Sequence, residues 1–332
     1  MSHYHHLTIE ERESIWEFSL RGESLRQIAR KTGRSASTIS RELARNRAAQ
    51  GYRPSAAQAA YQKRRRRCRR ARILAGSELG ATVARLISQL QCSPEQVANR
   101  LALENGAFVI SCQTIYRALR CGCMEPKGSH KNSQGKYPMQ KNLRQKARKN
   151  RGESRRKPQS YIHQTIDERP KAVEDRKQFG HWEGDLVYSS FHKVYVVTMV
   201  ERASRFVLTG VCKTKQPEEI AAVIVEMLKG LPRKKLRTIT FDRGIEFSQH
   251  HLITAATGAQ VYFAHPRAPW ERGTNENTNG LLRQYVPKHT YKVPFSEELL
   301  RQFTRKLNYR PRKCLGWRTP FECFSGKVLH LT

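Results

Sequence analysis

Hydrophobic positions follow a helical period through the first 124 residues and give way to short apolar runs from Phe179 onward. Thr8-Ile9-Glu10-Glu11 has the form of a capping box, which predicts a helix that starts at Thr8 and buries Ile15, Trp16 and Leu20. A second helix is expected from Ser24 to Lys31, carrying Leu25, Ile28 and Ala29. Gly33 then suits a left-handed turn, and Ser35 caps a third helix through Arg45 with Ile39 and Leu43 inward. Small Ala29, turn-forming Gly33 and aliphatic Ile39 have the spacing that two crossed helices require, so residues 1–60 read as a helix-turn-helix domain. A looser second unit follows within residues 61–124. Ser93-Pro94-Glu95 opens a helix with Val97, Ala98, Leu101 and Leu103, and Ser111 to Leu119 forms its candidate recognition helix. The stretch Glu104 to Ile110 is long for the connecting turn, so a packing or dimerising role is the alternative.

Beyond a segment spanning 125–175, apolar runs at 186–188, 194–200, 206–212, 236–241 and 259–264 alternate with turn residues and helical stretches. Pro217 to Leu231 is an amphipathic helix, with Ile220, Val223, Ile224, Met227 and Leu228 on one face. The chain is therefore expected to be multidomain: an all-α N-terminal region, then an α/β domain over 176–327.

Charge changes the picture most. Sixty-two Lys and Arg stand against 28 Asp and Glu, a net charge of +34, and a surplus of that size calls for a polyanionic partner. No apolar stretch is long enough to span a bilayer and no signal peptide is evident, so a membrane is not an expected partner. Cysteines 68, 92, 112, 121, 123, 212, 314 and 323 are scattered, and the single close pair, Cys121 and Cys123, makes a poor zinc framework. They read as reduced thiols of a cytoplasmic, nucleoid-associated protein. Double-stranded DNA is the expected partner. The outward face of the third helix offers Ser37, Thr38, Arg41 and Arg45, and the second recognition helix offers Gln113, Thr114 and Arg117. The run Arg64, Arg65, Arg66 and Arg67 points all round a helix, which suits phosphate neutralisation rather than base reading. From Lys127 to Lys157 Glu153 is the lone acid among many lysines and arginines, so 125–175 reads as a basic linker ordered by DNA.

Three acids stand out by context. Asp185 precedes the apolar run Leu186-Val187-Tyr188, Asp242 ends the run Leu236 to Phe241, and Glu276 leads into a helix with Leu281 and Leu282. Carboxylates at the ends of buried strands are costly unless paired or bound to a cation, and converging oxygen donors suit Mg²⁺ or Mn²⁺. Alone, each would read as a surface turn residue. Glu183 is the strongest rival, since it shares a strand face with Asp185; Glu246 and Glu271 are others. Arg283 lies two helical turns beyond Glu276 and can reach a DNA phosphate. Trp182 and Trp270 flank the acids; packing is the expected role of Trp182.

The order strand-Asp, strand-Asp, helix-Glu resembles the DDE transposase and retroviral integrase superfamily. The strings Gly180-His181-Trp182-Glu183-Gly184-Asp185-Leu186-Val187, Arg272 to Arg283 (RGTNENTNGLLR) and Leu307-Asn308-Tyr309-Arg310-Pro311-Arg312-Lys313 resemble IS30-family transposases. The resemblance implies an RNase H-like (integrase-like) catalytic domain and cleavage and strand transfer at terminal inverted repeats. It implies Asp185, Asp242 and Glu276 as catalytic and metal-binding residues, with two Mg²⁺ or Mn²⁺ ions. Because joining requires both ends of an element, a homo-oligomer assembled on end and target DNA is expected. Integrase-like enzymes often carry Asn where this chain has Arg243, which leaves the role of that position open. The alternatives are a helix-turn-helix transcriptional regulator with an inactive RNase H-like domain, and a plain nuclease.

Overall fold

Short helices with polar caps open the chain. The computed structural model describes residues 5–48, 51–68, 72–126, 128–142, 164–189, 193–285 and 296–332. Helices α1 (Ile9–Leu20), α2 (Leu25–Thr32) and α3 (Ala36–Asn46) are capped by Thr8, Ser24 and Ser35, whose hydroxyls accept from the backbone N–H three positions on. Gly33 ends α2 at φ +64°, in the left-handed region. Ile15, Ile28, Ala29 and Ile39 form the core with Tyr52 and Ala57. Trp16 and Leu20, expected inside, are 42% and 69% exposed, and Leu25 is also exposed. Packed against α2 and α4, α1 buries Arg12 and Ile15, and Trp16 and Leu20 lie outside that contact.

A short hairpin of β1 (Arg47–Ala48) and β2 (Gly51–Tyr52) leads to α4 (Pro54–Arg67), which packs on α1. Buried Arg12 ties the bundle together: Nε donates to Glu42 Oε1 (2.7 Å) and Nη1 to Leu7 O and Gln58 Oε1 (both 2.6 Å). The chain divides between Arg72 and Ile73 into two compact units. The basic run of residues 64–67, grouped by sequence with the region after residue 60, thus lies in α4 and within the first unit.

In the second unit, α5 (Glu78–Ser88), α6 (Pro94–Asn105) and α7 (Cys112–Cys121) form a helical subdomain. Val83, Leu86, Ile87, Val97, Leu101, Ile115 and Leu119 fill its core, whereas Leu103, expected inside, is 46% exposed. Of the expected basic linker, residues 127 and 143–163 lie outside those described; its described parts hold short 3₁₀ turns at Pro138–Asn142, Ile166–Glu168 and Lys171–Val173.

A five-stranded mixed sheet follows, in the order β5-β4-β3-β6-β7. Strands β3 (His181–Ser189), β4 (Val194–Glu201) and β5 (Val207–Cys212) are antiparallel neighbours; β6 (Thr238–Phe241) and β7 (Gln260–Phe263) add on parallel to β3. Alternation sends Trp182, Val197, Met199 and Phe241 to one face, under α8 (Pro217–Leu228) and α9 (His250–Thr257). It sends Val187 and Val196 to the other, under α10 (Gly273–Leu282) and α11 (Glu297–Asn308). This is the α/β integrase-like architecture expected from sequence. After α12 (Pro320–Ser325) the chain returns to the helical subdomain, where Leu331 joins its core and donates its N–H to Glu104 (2.9 Å). None of the eight cysteines forms a disulfide. Among the described residues no helix is long and apolar enough to cross a membrane.

Candidate active site

Strand β3 begins at His181, so Asp185 lies at its middle rather than at the start of an apolar strand as expected. The even spacing of 183, 185 and 187 puts Glu183 and Asp185 on the face covered by α10, with Val187. Gly184, between them, faces the other way: a Cβ there would stand 2.2 Å from the Phe241 ring. The close approach that Gly184 allows is thus to the β6 core rather than beside Asp185. Asp242 is the first residue after β6, and its Oδ1 accepts from the Gly244 N–H (3.0 Å) in a turn. Because β6 pairs parallel with β3, the two aspartates come to one place.

Arg272, just ahead of α10, joins them, with Nη1 3.5 Å from Asp185 Oδ1 and Nη2 3.3 Å from Asp242 Oδ2. Asn279, on α10, donates Nδ2 to Asp185 Oδ2 (2.6 Å). Burial pushes the Asp185 carboxyl up from its ordinary range; Arg272 pulls it down and the charge of Asp242 pushes it up again. Glu276 sits in the first turn of α10, three residues before Asn279 and so on the neighbouring part of the same helical face. Its carboxylate is exposed. As they stand, no three His, Cys, Asp or Glu side chains among the described residues gather closely enough to hold a metal ion. The structure brings Asp185 and Asp242 together and leaves Glu276 one step away.

The rival acids have other work. Glu183 is fully buried, bonded to Arg202 Nη1 (2.6 Å) and accepting from the Asn275 backbone N–H (2.8 Å), so it fastens the start of α10 to β3. Glu246 pairs with Lys215 (3.2 Å). Glu271 accepts from the His265 backbone and faces its Nδ1 (2.9 Å), while His265 Nε2 meets Asp167 (2.9 Å). The hydrogen bond to Glu271 raises the His265 pKa against an opposing effect of burial, with both carboxylates' charges adding to the rise. Arg243 donates Nε to Ala264 O (3.0 Å), linking the ends of β6 and β7. Arg283 donates to Tyr188 O (2.8 Å). Trp182 is buried, with its indole N–H on Lys235 O, and Trp270 is 73% exposed.

The candidate DNA-reading residues stay at the surface. Ser37, Arg41 and Arg45 are exposed on α3, and Thr38 is half-buried with its hydroxyl 2.8 Å from that of Ser35. On α7, Gln113 and Arg117 are exposed, and half-buried Thr114 meets the Ser111 hydroxyl (2.9 Å). In α4, Arg64 donates to Asn46 Oδ1 (3.0 Å) and Arg65 to Tyr61 Oη (3.1 Å), and Arg67 is exposed; the Arg66 side chain falls outside those described. Arg272, Asn275 and Asn279 were not singled out from sequence. Their signal was spacing: Asn279 lies one helical turn beyond Glu276.

A helix-turn-helix domain family matches residues 3–46, and an integrase core domain family matches 175–269, a span holding Asp185 and Asp242 but ending before Glu276. The chain is 34% identical to the Escherichia coli transposase InsI for insertion sequence element IS30A, over 97% of this chain and 84% of that protein. It is 37% identical to the Cupriavidus metallidurans transposase for insertion sequence element IS1086, over 99% and 97% respectively. Among solved structures, the catalytic core domain of BIV integrase aligns at 20% identity with a TM-score of 0.37, covering 44% of this chain and 93% of that one.

Proposed function

The chain belongs to the IS30 family of transposases, DDE-type polynucleotidyl transferases, and on that footing we propose that Asp185, Asp242 and Glu276 are the residues that carry out DNA cleavage and joining at the inverted-repeat ends of an insertion sequence. The observation that carries this reading is that two aspartates from adjacent parallel strands share one cation, Arg272. The donor set fits a divalent ion. Its ligands are carboxylate oxygens, Asp185 and Asp242 repel each other, and such a pair needs positive charge. Mg²⁺ or Mn²⁺, two per site, would activate the attacking hydroxyl and stabilise the leaving oxygen.

The chain's own residues set the geometry. Asn279 fixes the Oδ2 of Asp185, the Gly244 N–H fixes the Oδ1 of Asp242, and buried Glu183 with Arg202 holds the α10 start that carries Glu276. Exposed Glu276, in the first turn of α10, is the third ligand of this proposal. The test is incubation with labelled inverted-repeat DNA and Mg²⁺, which should give nicked and then joined products. Binding without cleavage would favour a regulator, and degradation without joining a nuclease. Joining two ends with one triad per chain supports a homo-oligomer on DNA, to be sized by light scattering with paired ends.

End recognition falls to α3. A fragment of residues 1–72, which has its own core, should bind inverted-repeat DNA without cutting it. Arg41→Ala or Arg45→Ala should weaken that binding by ~1–3 kcal/mol if the arginine reads a base. Equal loss on random DNA in a fluorescence titration would make it a phosphate contact.

A further inference from the structure

Two arginines of the second unit are built as permanent partners of carboxylates. Arg202 meets Glu183 at 2.6 Å with both side chains buried, and Arg100 grips Glu322 through two bonds of 2.7 and 2.8 Å. Arg272 is held differently. Its contacts to Asp185 and Asp242 are 3.5 and 3.3 Å, longer than the ~2.7–2.9 Å of a well-made charge-assisted bond. Nη1 also reaches Gly184 O at 3.2 Å, and Nε is buried with no hydrogen-bond partner. The guanidinium's unmatched N–H carries a desolvation cost that the long contacts to the aspartates return only in part. Its position is nonetheless fixed by charge, since it is the cation between two carboxylates that repel each other.

Resting on the assignment of Asp185 and Asp242 as metal ligands, we propose that Arg272 is an exchangeable counter-cation. It neutralises the aspartate pair in the metal-free protein and has to leave when a divalent ion loads. A plain structural role makes the opposite forecast for metal affinity, because loss of a structural arginine loosens the aspartates and weakens the site.

The test is Mn²⁺ binding to the full chain without DNA, followed by electron paramagnetic resonance of the free ion. Arg272→Met should bind Mn²⁺ roughly tenfold more tightly than the parent, because the competent state no longer requires displacement of a guanidinium. Arg272→Lys, which keeps a cation, should stay close to the parent. Should Arg272→Met not fold, Arg272→Gln carries the same expectation. Unchanged or weaker binding by the uncharged variant overturns the proposal. Asp242→Asn, run alongside, should lose Mn²⁺ binding. If it binds like the parent, the ligand assignment fails and the counter-cation role with it. If it loses binding while Arg272→Met is unchanged, only the counter-cation role fails.

Discussion

Asp185→Asn, Asp242→Asn or Glu276→Gln should each lower strand cleavage by roughly a thousandfold or more, equivalent to ~4 kcal/mol of transition-state stabilisation, with end binding essentially unchanged. Each change removes a formal charge from the carboxylates proposed to hold the ion and leaves α3 and its exposed Arg41 and Arg45 untouched. Glu276→Gln is the most informative of the three. Its carboxylate is exposed and lies beyond the span matched by the integrase core family, so its assignment rests on its place on α10 beside Asn279. Glu183→Gln separates the roles further, because Glu183 is bound to Arg202 and to the Asn275 N–H. It should lower the stability of the second unit. Cleavage near the parent rate by any of the three triad variants would remove that residue from the site.

The second large effect concerns the return of the chain to the helical subdomain. Arg100 is buried and bonded to Glu322 at 2.7 and 2.8 Å, and also to Glu104 and to the carbonyls of Trp317 and Leu329. Glu322→Ala leaves that guanidinium buried without its main counter-charge and should cost ~3–5 kcal/mol in urea unfolding of the second unit. A loss below ~1 kcal/mol, the range of an exposed pair, would contradict it. The pH dependence has a definite sign. Burial raises the Glu322 carboxyl, but hydrogen bonds from Arg100 and from the Thr319 and Leu329 N–H groups outweigh it and hold the pKa down at about 2. The stabilisation is therefore complete above the ordinary carboxylate range and is lost as the pH falls toward about 2. The variant should lack this part of the acid transition.

Local chemistry made much of the fold readable in sequence. Thr8, Ser35 and Ser93 cap the helices they were expected to open, and the short apolar runs became β3 to β7. What escaped was tertiary. Nothing local marks Arg12 as a buried tie between three helices, or Arg100 as the anchor for residues more than 200 positions away. The exposure of Trp16 and Leu20 follows from how small the first bundle is. At the candidate active site, the pattern of acids pointed to Asp185 and Asp242, and their union follows from the parallel pairing of β3 with β6. The burial of Glu183 could not be read, because it shares a strand face with Asp185 and differs only in meeting Arg202.

The most direct measurement is strand transfer by Asp242→Cys in Mg²⁺ and in Mn²⁺, on labelled inverted-repeat ends. Mg²⁺ demands oxygen ligands, whereas a first-row transition ion tolerates a thiolate in their place. If Asp242 holds the ion, the variant should be inactive in Mg²⁺ and regain joining in Mn²⁺, while the parent works in both. Undiminished joining in Mg²⁺, or the same residual activity in both ions, would contradict the role of Asp242 as a metal ligand.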